Sequence, residues 1–174
     1  MKINKVVIGI WIFLAIIVVA VIISSTPKTY SNDEYGFSIV SPIGWKIEEN
    51  FKVGNFTSIV IFMGPKENDF TVNFNIYSES TKGLNLQKYV EFGKETLASV
   101  PSFKLISEKN RTINNLEGYE LVYTIDVKNK TLEFEQVILI KNGESYAITF
   151  ASLEDNFDKY ISDFEKSIET FKFF

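Results

Sequence analysis

The 174-residue chain contains no cysteine and no histidine. Without cysteine there is no disulfide framework, no lipid on a lipoprotein cysteine, no thiol nucleophile and no Cys/His zinc site. Without histidine the side chain best suited to proton transfer near neutral pH is missing, and with it the Ser-His-Asp triad. Neither absence decides on which side of a membrane the protein works. Clustered positive charge is also lacking. Setting Lys2 and Lys5 aside leaves 16 Lys+Arg against 22 Asp+Glu, a formal charge of −6. Binding phosphates needs a concentrated basic surface, so no nucleic-acid partner is expected. An acidic exterior also repels anionic lipid headgroups.

What the chain does have is apolar surface: 45% of its residues are hydrophobic, and it holds 16 Phe and 8 Tyr. That is enough to build a core and argues against disorder. The length suits one domain plus an appendage, and there is no internal repeat or low-complexity tract.

The appendage is the uninterrupted apolar run Val6 to Ile23, carrying Val6, Ile10, Trp11, Leu14, Ile17, Ala20 and Ile23. At about 1.5 Å per residue it would span roughly 27 Å, close to the thickness of a hydrocarbon core. It is expected to be a transmembrane signal-anchor helix, with the lipid bilayer as its partner. A cleaved signal peptide is the rival reading, but its apolar region would be shorter and would end in small residues, whereas Ile22 and Ile23 crowd the exit. Lys2 and Lys5 precede the run and Lys28 follows it, so the short N-terminal side stays cytoplasmic and the remainder is exported. The expected organisation is a cytoplasmic 1–5, an anchor 6–23, a linker 24–32 and a globular domain 33–174.

Within the domain, Phe37 to Ser41 reads as a strand closed by Pro42, with a turn at Gly44 before Trp45. Phe56 to Met63 is a nearly continuous apolar strand. Phe70 to Tyr77 alternates strictly, with Phe70, Val72, Phe74 and Ile76 on one face and Thr71, Asn73, Asn75 and Tyr77 on the other. That pattern predicts a half-buried antiparallel strand. Leu86 to Val100 changes to helical spacing before Pro101. Strands are predicted over Phe103 to Glu108, Tyr119 to Val127, Leu132 to Ile140 and Ser145 to Ala151, the last two joined through a hairpin at Asn142-Gly143. The closing helix, within Leu153 to Phe171, puts Phe157, Tyr160, Ile161, Phe164, Ile168 and Phe171 on one stripe. A capping box at Ser152 to Asp155 is expected to start it. Glu165 falls on the opposite, solvent side.

The segment Tyr35-Gly-Phe-Ser-Ile-Val-Ser-Pro-Ile-Gly-Trp45, with Gly36, Phe37, Pro42, Gly44 and Trp45, resembles the opening of PsbP-like domains and related DcrB-type proteins. The run Thr112 to Tyr123 around Gly118, Tyr146 to Phe150 and the ending Thr170-Phe-Lys172 are similar to that family too. The resemblance implies an α+β fold, an antiparallel β-sheet flanked by helices as an α/β/α sandwich, and a non-catalytic character. The family's metal and photosystem contacts involve histidines, which this chain lacks, so no binding residue is carried over.

Candidate sites are few. Glu154, Asp155 and Asp158 gather where acidic residues are favoured anyway, at a helix start, and Asp33-Glu34 lacks calcium-loop spacing. Glu133 and Glu135 share a strand face that alternation with Leu132 and Phe134 assigns to solvent. Trp45 reads as a core or turn anchor. Asn55, Asn110 and Asn129 head glycosylation sequons, a pattern short enough to recur by chance. No cofactor, metal or catalytic residue is expected. The reading is a membrane-anchored extracytoplasmic binding or assembly-accessory module with an unidentified protein partner. A hydrolase needing neither His nor Cys, or a structural envelope protein, are the alternatives.

Overall fold

A computed structural model describes residues 26–53 and 56–174. The expected anchor 6–23 and the Asn55 sequon lie outside the described residues. Among those described, no helix is long and apolar enough to cross a membrane.

The chain runs β1 (Thr29–Asn32), β2 (Phe37–Val40), β3 (Lys46–Val53), β4 (Phe56–Glu67), β5 (Phe70–Ser80), α1 (Leu86–Ala98), β6 (Lys104–Ile113), β7 (Leu116–Val127), β8 (Lys130–Lys141) and β9 (Glu144–Leu153). A single 3-10 turn (Glu154–Asn156), α2 (Phe157–Ile168) and β10 (Lys172–Phe173) complete it. Seven antiparallel strands form one sheet in the order β3-β4-β5-β9-β8-β7-β6, and β1-β2-β10 form a small second sheet. Among the described residues, β1 thus lies inside the stretch expected to be linker, pairing with β2.

The predicted strands all form, and most run two to four residues past their alternating cores, since pairing continues into polar ends. The β8–β9 hairpin turns on Asn142 and Gly143 with φ of 53° and 81°, the positive values its two-residue loop demands. Asn85 caps α1, its side chain accepting from the Lys88 amide at 3.0 Å.

The expected capping box does not form at α2. Ser152 is paired with Glu133 inside β9, its Oγ donating to the Leu153 carbonyl at 2.9 Å, and α2 starts five residues later with no side-chain cap. Strand pairing through Leu153 claims the residues that would have made the cap.

The two faces of the large sheet are covered differently. On one, α2 and the small sheet close over Phe62, Phe74, Val137, Leu139, Ile148 and Phe150. On the other, α1 packs on Leu121, Tyr123, Phe134 and Ile138. Two expectations are corrected here. Thr71, Asn73 and Asn75, assigned to an open face, are buried, so β5 is a central strand covered on both sides. The Asn73 amide donates to the Thr71 carbonyl at 2.9 Å. Glu135, assigned to solvent, is buried as well. It shares its parity with Val137 and Leu139, which point into the α2 core, and that larger apolar set decides the face.

Candidate functional site

Three carboxylates meet where α2 crosses β6, β7 and β8. Antiparallel register puts Arg111 opposite Gly118 and Lys109 opposite Glu120, while Glu120 faces Val137, two residues along the same face of β8 from Glu135. Glu165 comes down from α2. One ligand oxygen from each of Glu120, Glu135 and Glu165 lies within 4.8 Å of the others, the one such group among the described residues. That spacing would suit a divalent cation. The cation, however, is already supplied by the chain. Arg111 Nη1 donates to Glu120 Oε2 at 2.8 Å, Glu135 Oε1 at 2.9 Å and Glu165 Oε1 at 3.0 Å, and Nη2 donates to Glu165 Oε2. Lys109 Nζ pairs with Glu120 Oε1 at 2.9 Å from the solvent side.

Gly118, beside this cluster, makes room for its cross-strand neighbour Leu139. A Cβ there would stand 2.6 Å from Leu139 Cδ2 and 2.9 Å from the Ile138 carbonyl oxygen, so only glycine fits opposite Arg111.

The electrostatics follow from burial. Burial works against the guanidinium charge of Arg111, but the hydrogen bonds it donates to Glu165 and Glu120 outweigh it and hold the group above its ordinary range. Burial raises Glu135 to about 8, helped by its hydrogen bond to Glu165 and by the charges of Glu165 and Glu120, with Arg111 opposing. Burial pushes Glu165 the same way, yet the hydrogen bonds from Arg111 and Glu135 prevail and leave it below the usual carboxylate value. Of this pair, burial thus favours the neutral form at Glu135, while Arg111 favours the charged form at Glu165. Lys109 is raised by its hydrogen bond to Glu120.

A second polar network pins α1. Tyr89 donates to Glu79 Oε1 at 2.5 Å, and Ser145 Oγ lies 2.7 Å from the Tyr89 hydroxyl and 3.0 Å from the Glu79 carbonyl oxygen. Burial, then the Glu79 hydrogen bond, hold the Tyr89 phenol far above its ordinary value. The phenol thus stays protonated. An open groove of about 600 Å³ lies between α1 and the β6–β7 edge, with Leu86, Val90, Lys94, Asn110 and Tyr119 among its walls.

The residues singled out from the sequence scatter across the fold. Phe37 is buried among Tyr30, Tyr146 and Phe171, and the Gly36 carbonyl accepts from the Phe174 amide at 3.0 Å. The buried Pro42 carbonyl accepts from the Trp45 amide at 3.3 Å, with Gly44 at φ 80° between them. The Trp45 indole packs 5.8 Å from the Phe74 ring. Asn110 and Asn129 are exposed, on edge strand β6 and in the β7–β8 turn. Glu154, Asp155 and Asp158 stay apart from the carboxylate cluster, although the charges of Glu154 and Asp158, after burial, help raise Glu133. Sequence reasoning missed Arg111, Glu120 and Glu165. Their signal was a same-parity set, Lys109 with Arg111 and Gly118 with Glu120, visible only once the strand register is known.

The sequence pattern of one family, described as PsbP-like protein, matches residues 18–173. The chain belongs to that family. The solution structure of cyanobacterial PsbP (CyanoP) from Synechocystis sp. PCC 6803 superposes with a TM-score of 0.67 at 18% identity, covering 87% of this chain and 94% of that one. LpqN of Mycobacterium tuberculosis, described as involved in cell envelope biogenesis, gives 0.63 at 12% identity, covering 84% and 90%. PA94 of Pseudomonas aeruginosa, a protein of unknown function described as a putative regulator, gives 0.60 at 17% identity, covering 83% and 94%. At these identities the likeness is one of fold. No curated protein sequence matches the chain.

Proposed function

We propose that the protein is a non-catalytic binding or assembly-accessory module, held outside the cytoplasm by its own segment 6–23. Membership of the PsbP-like family carries this reading. The description of LpqN as involved in cell envelope biogenesis points the same way. The site chemistry agrees. The gathered carboxylates are spent on Arg111, and the Ser145 hydroxyl lies beside a protonated phenol rather than a base. The anchor rests on the apolar run and on Lys2 and Lys5 ahead of it.

Two experiments test the reading. Membranes washed at high pH should retain the full-length chain, and Ser31→Cys, the sole thiol in the protein, should react with an impermeant reagent applied from outside. Labelling only after lysis would reverse the topology, and recovery of a mature chain starting near Val21 or Thr26 would turn the anchor into a signal peptide. Cross-linking in intact cells should then capture one stoichiometric extracytoplasmic protein. Turnover of an ester, peptide or phosphate substrate that a single substitution abolishes would replace the module by an enzyme.

A further inference from the structure

The carboxylate cluster sits at the junction of four elements, and its charges do not balance. Arg111 and Lys109 on β6 bring two positive charges; Glu120 on β7, Glu135 on β8 and Glu165 on α2 bring three carboxylates. With all three ionised the group would carry one uncompensated negative charge, and a charge left unpaired among buried groups is costly. One added proton makes it neutral. Glu133, two residues along the same face of β8, adds no cation, and the groups bearing on it, Glu154 and Asp158, are acidic as well.

The three acids differ in freedom. The side chains of Glu120 and Glu135 are 5% and 6% exposed and fixed on central strands of the sheet. That of Glu165 is 35% exposed and stands on a helix. If the cluster becomes overcharged, Glu165 is the member that can turn to water. Arg111 then keeps Glu120 and Glu135, and α2 loses its charged tie to β6 and β8.

We propose that Glu135 and Glu165 share one proton across the β8–α2 junction, and that its departure releases Glu165 and loosens the C-terminal half of α2, so that ambient pH sets how firmly this helix is seated. Both acids are needed: Glu135 keeps the proton in a buried place, and Glu165 converts its loss into a movement of the helix. The segment affected is the turn bearing Phe164 and Ile168, and beyond it Phe171 and β10.

An acid whose folded-state value is raised above its unfolded one lends stability that is complete below the unfolded value and is lost as pH rises through the folded one. For Glu135 the window opens near the ordinary carboxylate range and closes at about 8. The test is urea unfolding of the full-length protein in detergent from about pH 5 to about pH 9, where one proton changes the folded-to-unfolded ratio by up to about tenfold per pH unit. The wild type should lose stability as pH rises through this window, and Glu135→Gln, which keeps a neutral hydrogen-bonding group, should remove the slope. Amide protection in residues 164–168 should fall above about pH 8 in the wild type ahead of that in β8, and should not in Glu135→Gln. A slope shared by both proteins, or none in the wild type, would overturn the proposal. Should Glu135→Gln fail to fold, the wild type alone decides. A protonated-carboxyl stretch in its infrared spectrum at neutral pH, titrating away in the alkaline range, is expected, and its absence sinks the idea.

Discussion

The ring of Phe164 lies nearly parallel to that of Phe150, planes 20° apart and centroids 5.5 Å apart, which fastens α2 to the strand that precedes it. Phe164 also meets Phe74 at 5.5 Å, so one helical side chain bridges two adjacent strands of the sheet. Phe164→Ala should cost about 3–5 kcal/mol, a large share of a domain's stability. Urea unfolding measures it. A shift below about 1 kcal/mol would mean that the stripe is not core.

Glu165 and Lys166 are neighbours on α2 with opposite fates. Glu165 is bonded to Arg111, whereas Lys166 is exposed. Glu165→Ala should cost about 1–2 kcal/mol, the value of a charged hydrogen bond discounted for partial exposure. Lys166→Ala should stay within about 0.5 kcal/mol. Equal losses in the same unfolding series would deny the ion pair a part in stability.

Replacing Arg111 by Met keeps the bulk and removes the charge, leaving Glu120, Glu135 and Glu165 facing one another. The expected loss is about 3–5 kcal/mol at neutral pH. Without the guanidinium the folded-state carboxyls rise further, so their contribution is present in acid and lost as pH climbs. The deficit of Arg111→Met should therefore shrink on acidification. A deficit that grows in acid would contradict the arrangement.

Two glycines separate steric from conformational cost. Gly118→Ala drives a methyl against the Ile138 carbonyl, which cannot give way, and should cost about 1–3 kcal/mol. Gly143 has nothing within 4 Å, so Gly143→Ala pays only for its positive φ, about 1–2 kcal/mol. Thermal unfolding of the pair, with Gly118→Ser as a third variant, should rank Gly118→Ser lowest and Gly143→Ala highest.

Much of the fold was legible because local chemistry and tertiary structure agree. The Asn142-Gly143 turn, the stripe on α2 and the alternation in β7 each state their environment in a few residues. The two misread strand faces share one cause. Alternation along Phe70 to Tyr77 says which side is more apolar, not whether the polar side is covered, and Asn73 and Asn75 turn out buried. In β8 the short view from Leu132 to Glu135 and the longer one through Val137 and Leu139 give opposite faces. The carboxylate cluster was invisible for a related reason. Its members come from four elements, with Arg111 and Glu165 54 positions apart, and no periodicity within one segment encodes a contact between segments.

The pairing of Lys172 with Ser38 and of Phe173 with Phe37 joins the two ends of the folded domain. On the ribosome, β2 emerges early and can pair with β1 at once, but its other side stays open until almost the whole domain has been made. Phe37 waits likewise for Phe171, its stacking partner at 5.3 Å. Closure across so long a stretch of chain belongs to the slow class of folding events. Until it happens the newly made chain presents a strand edge beside unshielded phenylalanines, the state in which it is most exposed to chaperones and proteases.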